Sequence, residues 1–258
     1  MLRTRSLVLC LMAVWCLTTQ QSQAQGFREE FRELRSDVWK THLPLPHSGV
    51  EIRPCLNDEG IATGEVALRN RAYLFREYRA KSGSIVSTVF TWEEGGGGVQ
   101  YADNFQLILR SSGDVAGKIH PPEAGKRSFE IMDGLIVRID CGHGKVSLDQ
   151  VIDGKASILA SKYIRVREAK VEVFDQEPEN SGGALALPEG AGVNWYKLSV
   201  DDDGKKLSIS IDGAPVCSAD FDGTHLPGTM LGIGNRESLA GFPMVTFVKS
   251  LSVMPIKR

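Results

Sequence analysis

The chain has 258 residues, with 30 Lys and Arg against 32 Asp and Glu and a formal net charge of −2. No basic field is available to hold nucleic acid or an anionic membrane surface, so neither is expected as a partner. Hydrophobic residues make up 42% of the chain, enough for a sizeable core, and beyond the first two dozen residues no apolar run is long enough to span a bilayer.

The N-terminus carries Arg3 and Arg5, an apolar run over residues 7–17, and a polar stretch ending in Ser22-Gln23-Ala24. Small residues at the two positions a signal peptidase inspects make residues 1–24 an expected export signal. The apolar run is too short for a comfortable transmembrane helix, and the other reading, an uncleaved anchor, lacks a charged stop-transfer pattern after it. The mature chain, residues 25–258, is expected to be a secreted or periplasmic protein with no membrane contact after cleavage. It keeps three cysteines, Cys55, Cys141 and Cys217. Three thiols allow three pairings and always leave one over, and buried free thiols fit equally well. None sits in a motif that would lower its pKa, which argues against a cysteine nucleophile.

In chain order, Phe27, Phe31, Leu34 and Trp39 fit either a short helix or an extended entry strand. Residues 41–48, with Pro44 and Pro46, read as a loop, and residues 50–53 as a short strand. Residues 73–78 and 85–92 are strands by their aromatic and β-branched content, with a turn at 81–84. Gly95 to Gly98 follow, but without a Lys-Ser or Lys-Thr pair or a helix pattern they cannot form a phosphate loop. Residues 105–110 alternate as a strand, residues 111–126 read as a polar loop, and residues 135–140 and 145–151 are strands joined through Gly142-His143-Gly144. A reversal at 152–155 leads to extended patterns at 162–166 and 169–174 and then to a Pro/Gly-rich loop over 177–192.

The clearest signal is residues 194–218. Tyr196, Leu198 and Val200 alternate with Trp195, Lys197 and Ser199; after Asp201-Asp202-Asp203-Gly204, Leu207, Ile209 and Ile211 alternate with Ser208, Ser210 and Asp212. Asp212-Gly213 supplies the tight turn, and residues 216–218 return as a third strand. One face of this meander is apolar, so it must lie against a second sheet. Strands at 230–235 and 246–253 complete an all-β pattern with no three-turn helix, which predicts an antiparallel sandwich forming a single domain over residues 25–258.

The runs Trp195 to Val200, Leu207 to Gly213, Gly232-Ile233-Gly234-Asn235 and Phe247 to Val253 resemble the C-terminal half of concanavalin A-like lectin/glucanase jelly rolls, in particular the laminin-G-like and 3-keto-disaccharide-hydrolase-like domains of exported bacterial proteins. Such domains end in a strand of the form Phe-x-Asn-Val-x-Val, with Ser250 standing here where Asn is frequent. The resemblance implies two curved sheets packed face to face, the concave one a carbohydrate surface, and it leaves two functions open because the fold hosts many activities. One is a carbohydrate-binding or adhesion-type module with no cofactor, whose partner is a glycan or another protein. The other is a glycoside hydrolase.

Candidate catalytic residues for a hydrolase are Asp175 and Glu177, which at period 2 share a strand face about 7 Å apart, a spacing that suits acids flanking a glycosidic bond. The Glu-x-Asp-x-x-Glu motif of the glucanase branch is absent, because Glu172, Asp175 and Glu177 are spaced differently. Solvated carboxylates at a strand end are the plain alternative. For binding, the rings of Trp92, Tyr101, Tyr163 and Trp195 could stack on sugar C–H faces, with Asn104, Arg165 and Asn194 reaching the hydroxyls. No metal site is expected: the Asp201–Asp203 cluster lacks calcium-loop spacing and reads as a charged hairpin turn, and the five histidines show no zinc spacing.

Overall fold

A computed structural model of the protein describes residues 26–56, 59–78, 83–93, 104–119, 129–140, 143–167, 170–179, 195–226, 228–236 and 245–256. The expected signal segment, the run of four glycines, Tyr101, Cys141 and Asn194 lie outside the described residues. The meander forms as β14 (Tyr196–Asp202), β15 (Lys206–Ile211) and β16 (Ala214–Asp220). Leu198 stands opposite Ile211 and Val200 opposite Ile209. Tyr196, Leu198, Val200, Leu207, Ile209 and Ile211 are all at most 3% exposed, while Lys197 and Ser208 face solvent. A one-residue slip would exchange those two sets, so burial of the apolar set fixes the register. Asp212 and Gly213 take φ of 50° and 81°, the two left-handed positions that a type I′ turn requires.

Around the meander two antiparallel sheets face each other. Sheet I runs β16, β15, β14, β6 (Ser84–Glu93), β18 (Val245–Pro255), β4 (Ala62–Arg69) and β3 (Gly49–Leu56), with β1 (Phe27–Glu29) also paired to β18. Sheet II runs β13 (Lys170–Phe174), β12 (Lys155–Arg167), β11 (Lys145–Ile152), β10 (Gly134–Asp140), β7 (Asn104–Ser111), β17 (Met230–Arg236), β5 (Tyr73–Glu77) and β2 (Lys40–His42). The shared core takes Val66, Leu68, Val86 and Phe90 from sheet I and Phe105, Leu107, Val137 and Leu148 from sheet II. Phe90 and Phe105 stack across it with ring centroids 4.3 Å apart. The only helical element among the described residues is a 3-10 turn at Gly223–His225. The all-β sandwich read from the alternation is the architecture observed.

Three local expectations change. Residues 111–126 are not all loop: β8 (Val115–Ile119) pairs with β9 (Phe129–Met132) as a separate hairpin, and an Ala-Gly-Lys stretch carried too little alternation to announce it. The N-terminal ambiguity resolves as a strand, β1, after which Phe31 takes φ 44° and enters the core. The charged hairpin turn at 201–203 is charged on both faces: Asp202 continues the inward alternation of Leu198 and Val200 and is fully buried. There it accepts three hydrogen bonds from Arg110, Nε to Oδ2 at 3.0 Å and Nη2 to Oδ1 and Oδ2 at 2.9 and 2.8 Å. A buried carboxylate needs a charged partner of this kind to offset its lost hydration.

Cys55 and Cys217 are both free. They lie on β3 and β16, the two edges of sheet I, six strand spacings or about 29 Å apart, far beyond the reach of a disulfide. Burial pushes the Cys217 thiol up to about 11, with Lys162 pulling it back. Alkylation of Cys217 at neutral pH should therefore be slow in the folded protein and accelerate on unfolding, as mass spectrometry of iodoacetamide-treated samples would report. In urea unfolding, Asp202→Ala should cost about 3–5 kcal/mol by leaving Arg110 uncompensated, and Leu198→Ala about 2–5 kcal/mol by opening a cavity. Ser208→Ala, on the outer face of the same meander, should stay within about 0.5 kcal/mol.

Candidate ligand-binding site

Strand alternation assigns a face to each residue of sheet II. Phe105, Leu107, Leu135, Val137, Ile139 and Val146 belong to the shared core. Asn104, Gln106 and Ile108 on β7, Ile136 and Arg138 on β10, and Lys145, Ser147 and Asp149 on β11 therefore point to the outer side. Part of that outer side is a second apolar cluster of Tyr73, Phe75, Ile108, Ile136 and Val151 under Ile131 and Met132. Ile131 and Met132 belong to β9, so the β8–β9 hairpin covers this end of the face. Toward the other end the outer face turns polar. One cross-strand row reads His42, Tyr73, Gly234, Gln106, Arg138, Ser147 and Ser161, each residue the register partner of the next.

Two glycines shape the floor of this row. A Cβ on Gly232 would lie 2.4 Å from the Phe75 ring, and one on Gly234 would lie 2.1 Å from the Tyr73 ring, so both rings lie across β17 where side chains would otherwise stand. Asn235 points the other way, into the core. Its Nδ2 donates to the Leu68 carbonyl at 2.8 Å, its Oδ1 accepts from the Ala72 N–H at 3.1 Å, and its own N–H donates to the Ala72 carbonyl. Those bonds clamp the crossing from β4 to β5, where Asn70 and Arg71 take φ of 53° and 64°. The crossing brings Arg71 up beside Tyr73, and the residue after the clamp is Arg236.

Three guanidinium groups thus act electrostatically on Tyr73. The charges acting on its hydroxyl are those of Arg236, Arg138 and Arg71, with Glu130 opposing them, and burial raises its pKa above the usual tyrosine value. Burial, reinforced by Arg138 and Arg71 and opposed by Tyr73 and Asp149, lowers the Arg236 guanidinium to about 10. Arg138 Nη2 contacts Asp149 Oδ2 at 2.5 Å. Asp149 is 1% exposed, and its Oδ1, like Arg138 Nε, is buried with no hydrogen-bond partner among the described residues. Gln106 Nε2 donates to Asn104 Oδ1 at 2.7 Å. The Arg138 side chain, 24% exposed, connects the cluster to solvent, and His42 and Glu130 pair at 2.8 Å beside it.

The residues singled out from sequence are divided by the fold. Asn104, Tyr163 and Arg165 share the outer face of sheet II: Tyr163 is the register partner of Lys145, whose Nζ lies 5.7 Å from the tyrosine ring centroid. Arg165 lies over the Phe174 ring at 5.7 Å. Trp92 is a correction, for at 2% exposure it stacks on Tyr196 with centroids 5.3 Å apart inside the core and offers no face to a ligand. Trp195 lies on the outer side of the opposite sheet against Ala67, Val245 and Phe247, with Lys249 Nζ 4.1 Å from its ring centroid and a cavity of about 350 Å³ beside it. Asp175, its side chain 83% exposed, pairs with Lys162, and hydrogen bonding to that lysine holds its carboxyl below the usual range. Glu177 Oε1 lies 2.8 Å from His143 Nδ1. The two acids therefore have separate basic partners and do not face one gap together. Arg71, Tyr73, Gln106, Arg138, Asp149 and Arg236 were missed. Arg138 and Gln106 sit singly among apolar residues, a pattern that also describes a solvated strand face.

No protein-family model matches the sequence, and no curated protein matches it. Among solved structures the chain is similar to the carbohydrate recognition domain of Emp47p, at 10% identity and a TM-score of 0.51 over 92% of this chain and 99% of that one. It is also similar to a Bacillus licheniformis β-glucanase, at 10% identity and 0.49 over 92% and 100%, and to the carbohydrate-binding module CBM66 from Bacillus subtilis, at 15% and 0.40 over 81% and 98%. Likeness to the Emp47p domain at that identity shows the fold alone, a two-sheet antiparallel jelly-roll sandwich, as the strand order describes it.

Because Tyr73 occupies the space above Gly234, Gly234→Ala should displace the ring and cost about 1–3 kcal/mol. Circular dichroism melts would measure the loss, and near-ultraviolet tyrosine signals would report the displaced ring. Gly213→Ala, where nothing lies within 4 Å, should cost only the strain of its left-handed φ, about 1 kcal/mol.

Proposed function

We propose that the protein is an exported, non-catalytic carbohydrate-binding module whose ligand lies on the outer face of sheet II. The observation that supports this reading most is the polar row of Gln106, Arg138 and Asp149 beside Tyr73, from which the Arg138 side chain, 24% exposed, reaches solvent. Saccharides present alternating hydroxyls and apolar C–H faces, and they are held by such mixed sets of donors, acceptors and rings. Tyr163 and Phe174 extend the ring surface toward the edge of the same face. The Emp47p domain that shares the fold is a carbohydrate recognition domain, which favours a glycan partner. Export rests on the signal pattern of residues 1–24.

Glycoside hydrolysis needs one carboxyl kept protonated in a partly dry cleft while its neighbour stays ionised. Asp175 is exposed and held ionised by Lys162, and Glu177 is matched to His143. Asp175, held ionised in the open, cannot serve as the protonated acid, which favours binding over cleavage.

A glycan array combined with a reducing-sugar release assay tests the proposal. Binding without sugar release is expected, unchanged by Asp175→Asn and Glu177→Gln, and weakened by Tyr163→Ala by about 1 kcal/mol, roughly fivefold in Kd. Sugar release abolished by both acid substitutions would establish a hydrolase instead, and an array with no glycan bound would leave another protein as the partner. N-terminal sequencing of the exported protein should begin near Gln25; recovery of intact Met1 in the cytoplasm would refute export.

A further inference from the structure

Resting on the carbohydrate reading, we infer that the protein has a second saccharide-binding face on the outer side of sheet I, where an oligosaccharide lies over a row of serines with Trp195 at its end. Parity builds the row. Val86, Leu198, Val200, Ile209, Ile211 and Val253 belong to the core, so Ser87, Ser199, Ser210 and Ser252 beside them point outward. They are register partners in turn, Ser210 with Ser199, Ser199 with Ser87, and Ser87 with Ser252. The row crosses three strand spacings, about 14 Å, and the hydroxyls of Ser87 and Ser199 lie 3.0 Å apart.

A β-bulge joins this row to Trp195. The register of β18 against β6 shifts between Val248 and Ser250, and Val248 and Leu251 are both core residues. Lys249 and Ser250 therefore both come out on the outer side, where strict alternation would turn one of them inward. Lys249 reaches the Trp195 ring. Ser250, with Val89, Lys197 and Arg28, lines two cavities at once, the one of about 350 Å³ beside Trp195 and another of about 640 Å³ over Ser87 and Ser252. Shared walls make them one groove, and each part has the size of a small-molecule site.

The lining selects the occupant. Serine hydroxyls both donate and accept, as sugar hydroxyls do, and Trp195 adds an aromatic wall of the kind that packs against sugar C–H groups. A peptide added as a strand needs a free sheet edge, whereas β14, β6 and β18 each have a neighbour on both sides. A docked helix needs an apolar groove, and a lasting interface with a second copy needs an apolar centre. A floor of serines supplies neither. With this face opposite the one on sheet II, a single module holds two glycan chains, one on each side of the sandwich.

Trp195 is its own reporter. Trp39 and Trp92 are 3% and 2% exposed, whereas Trp195 lines the groove, so acrylamide quenching of the mature protein reads Trp195. Cellohexaose, xylohexaose and laminarihexaose are the probes, and at least one should reduce the quenching about twofold by covering the groove. In calorimetric titration Ser252→Val, which keeps the strand and removes one hydroxyl, should weaken that probe about fivefold without lowering the melting temperature, and Tyr163→Ala on sheet II should leave it unchanged. Should Ser252→Val not fold, Ser199→Val carries the same test. A serine with only a structural role would give a lower melting temperature with the affinity intact, and that result would overturn the inference. Saccharide binding that leaves the quenching unchanged and weakens with Tyr163→Ala would refute the second face and leave the carbohydrate reading standing. No binding to any glycan, on the array or in titration, would refute both.

Discussion

The outer face of sheet II depends on two side chains that are not there. At Gly232 and Gly234 the central strand β17 lacks Cβ atoms, and the rings of Phe75 and Tyr73, each the cross-strand partner of one glycine, lie flat over the gaps. A glycine inside a strand forfeits packing and backbone order, a loss offset here by burying two rings worth about 1.5–3 kcal/mol each. The two rings then do different things. Phe75 and Tyr73 both belong to the apolar cluster under the β8–β9 hairpin, which closes one end of the face, and Tyr73 also stands in the polar row beside Gln106 and Arg138. Next along β17, Asn235 ties the strand to the β4–β5 crossing, so the positions of Arg71 and Arg236 are set by the same short segment.

Arginine appears on sheet II in two settings. Arg110 on β7 belongs by alternation to the outer side, but φ of 55° and a register shift against β17 turn it toward Asp202, where three hydrogen bonds match its charge. A non-glycine residue held in that conformation costs about 1–3 kcal/mol, a strain maintained only because the buried ion pair over-determines it. Near Tyr73, Arg138 instead pairs with Asp149 on the neighbouring strand β11. One arginine serves to close the sandwich where the meander ends; the other gives the opposite end of sheet II its chemical character.

The meander was legible because one of its faces is wet: alternation between Tyr196, Leu198, Val200 and Lys197, Ser199, Asp201 can only mean a half-buried sheet. Parity also places Trp92, which shares a face with Phe90, inside the core, and Trp195 outside, since Tyr196 points in. The strands of sheet II were harder to read because both of their faces are covered. Along β7 and β10 nearly every residue is buried, so the period fades and a lone Gln106 or Arg138 resembles solvated punctuation. Asn104, Tyr163 and Arg165 were chosen for their chemistry and do fall on this face, whereas Arg71, Arg138 and Arg236 come from three separate strands and strand junctions and act on one tyrosine only through topology. Residues 115–119 hid for another reason: a two-stranded flap has little pattern of its own and takes its place from the apolar surface beneath it.

The centre of sheet I is filled by the last strand of the chain. β18 lies between β6 on one side and β4 with β1 on the other, so Phe27 at the start of the described chain pairs with Val253 near its finish. Until β18 is in place, β6 and β4 have no common neighbour and the sheet stands as two halves. Contacts so distant along the chain make closure slow, and the intermediate that waits for them exposes two unsatisfied strand edges to any other copy nearby.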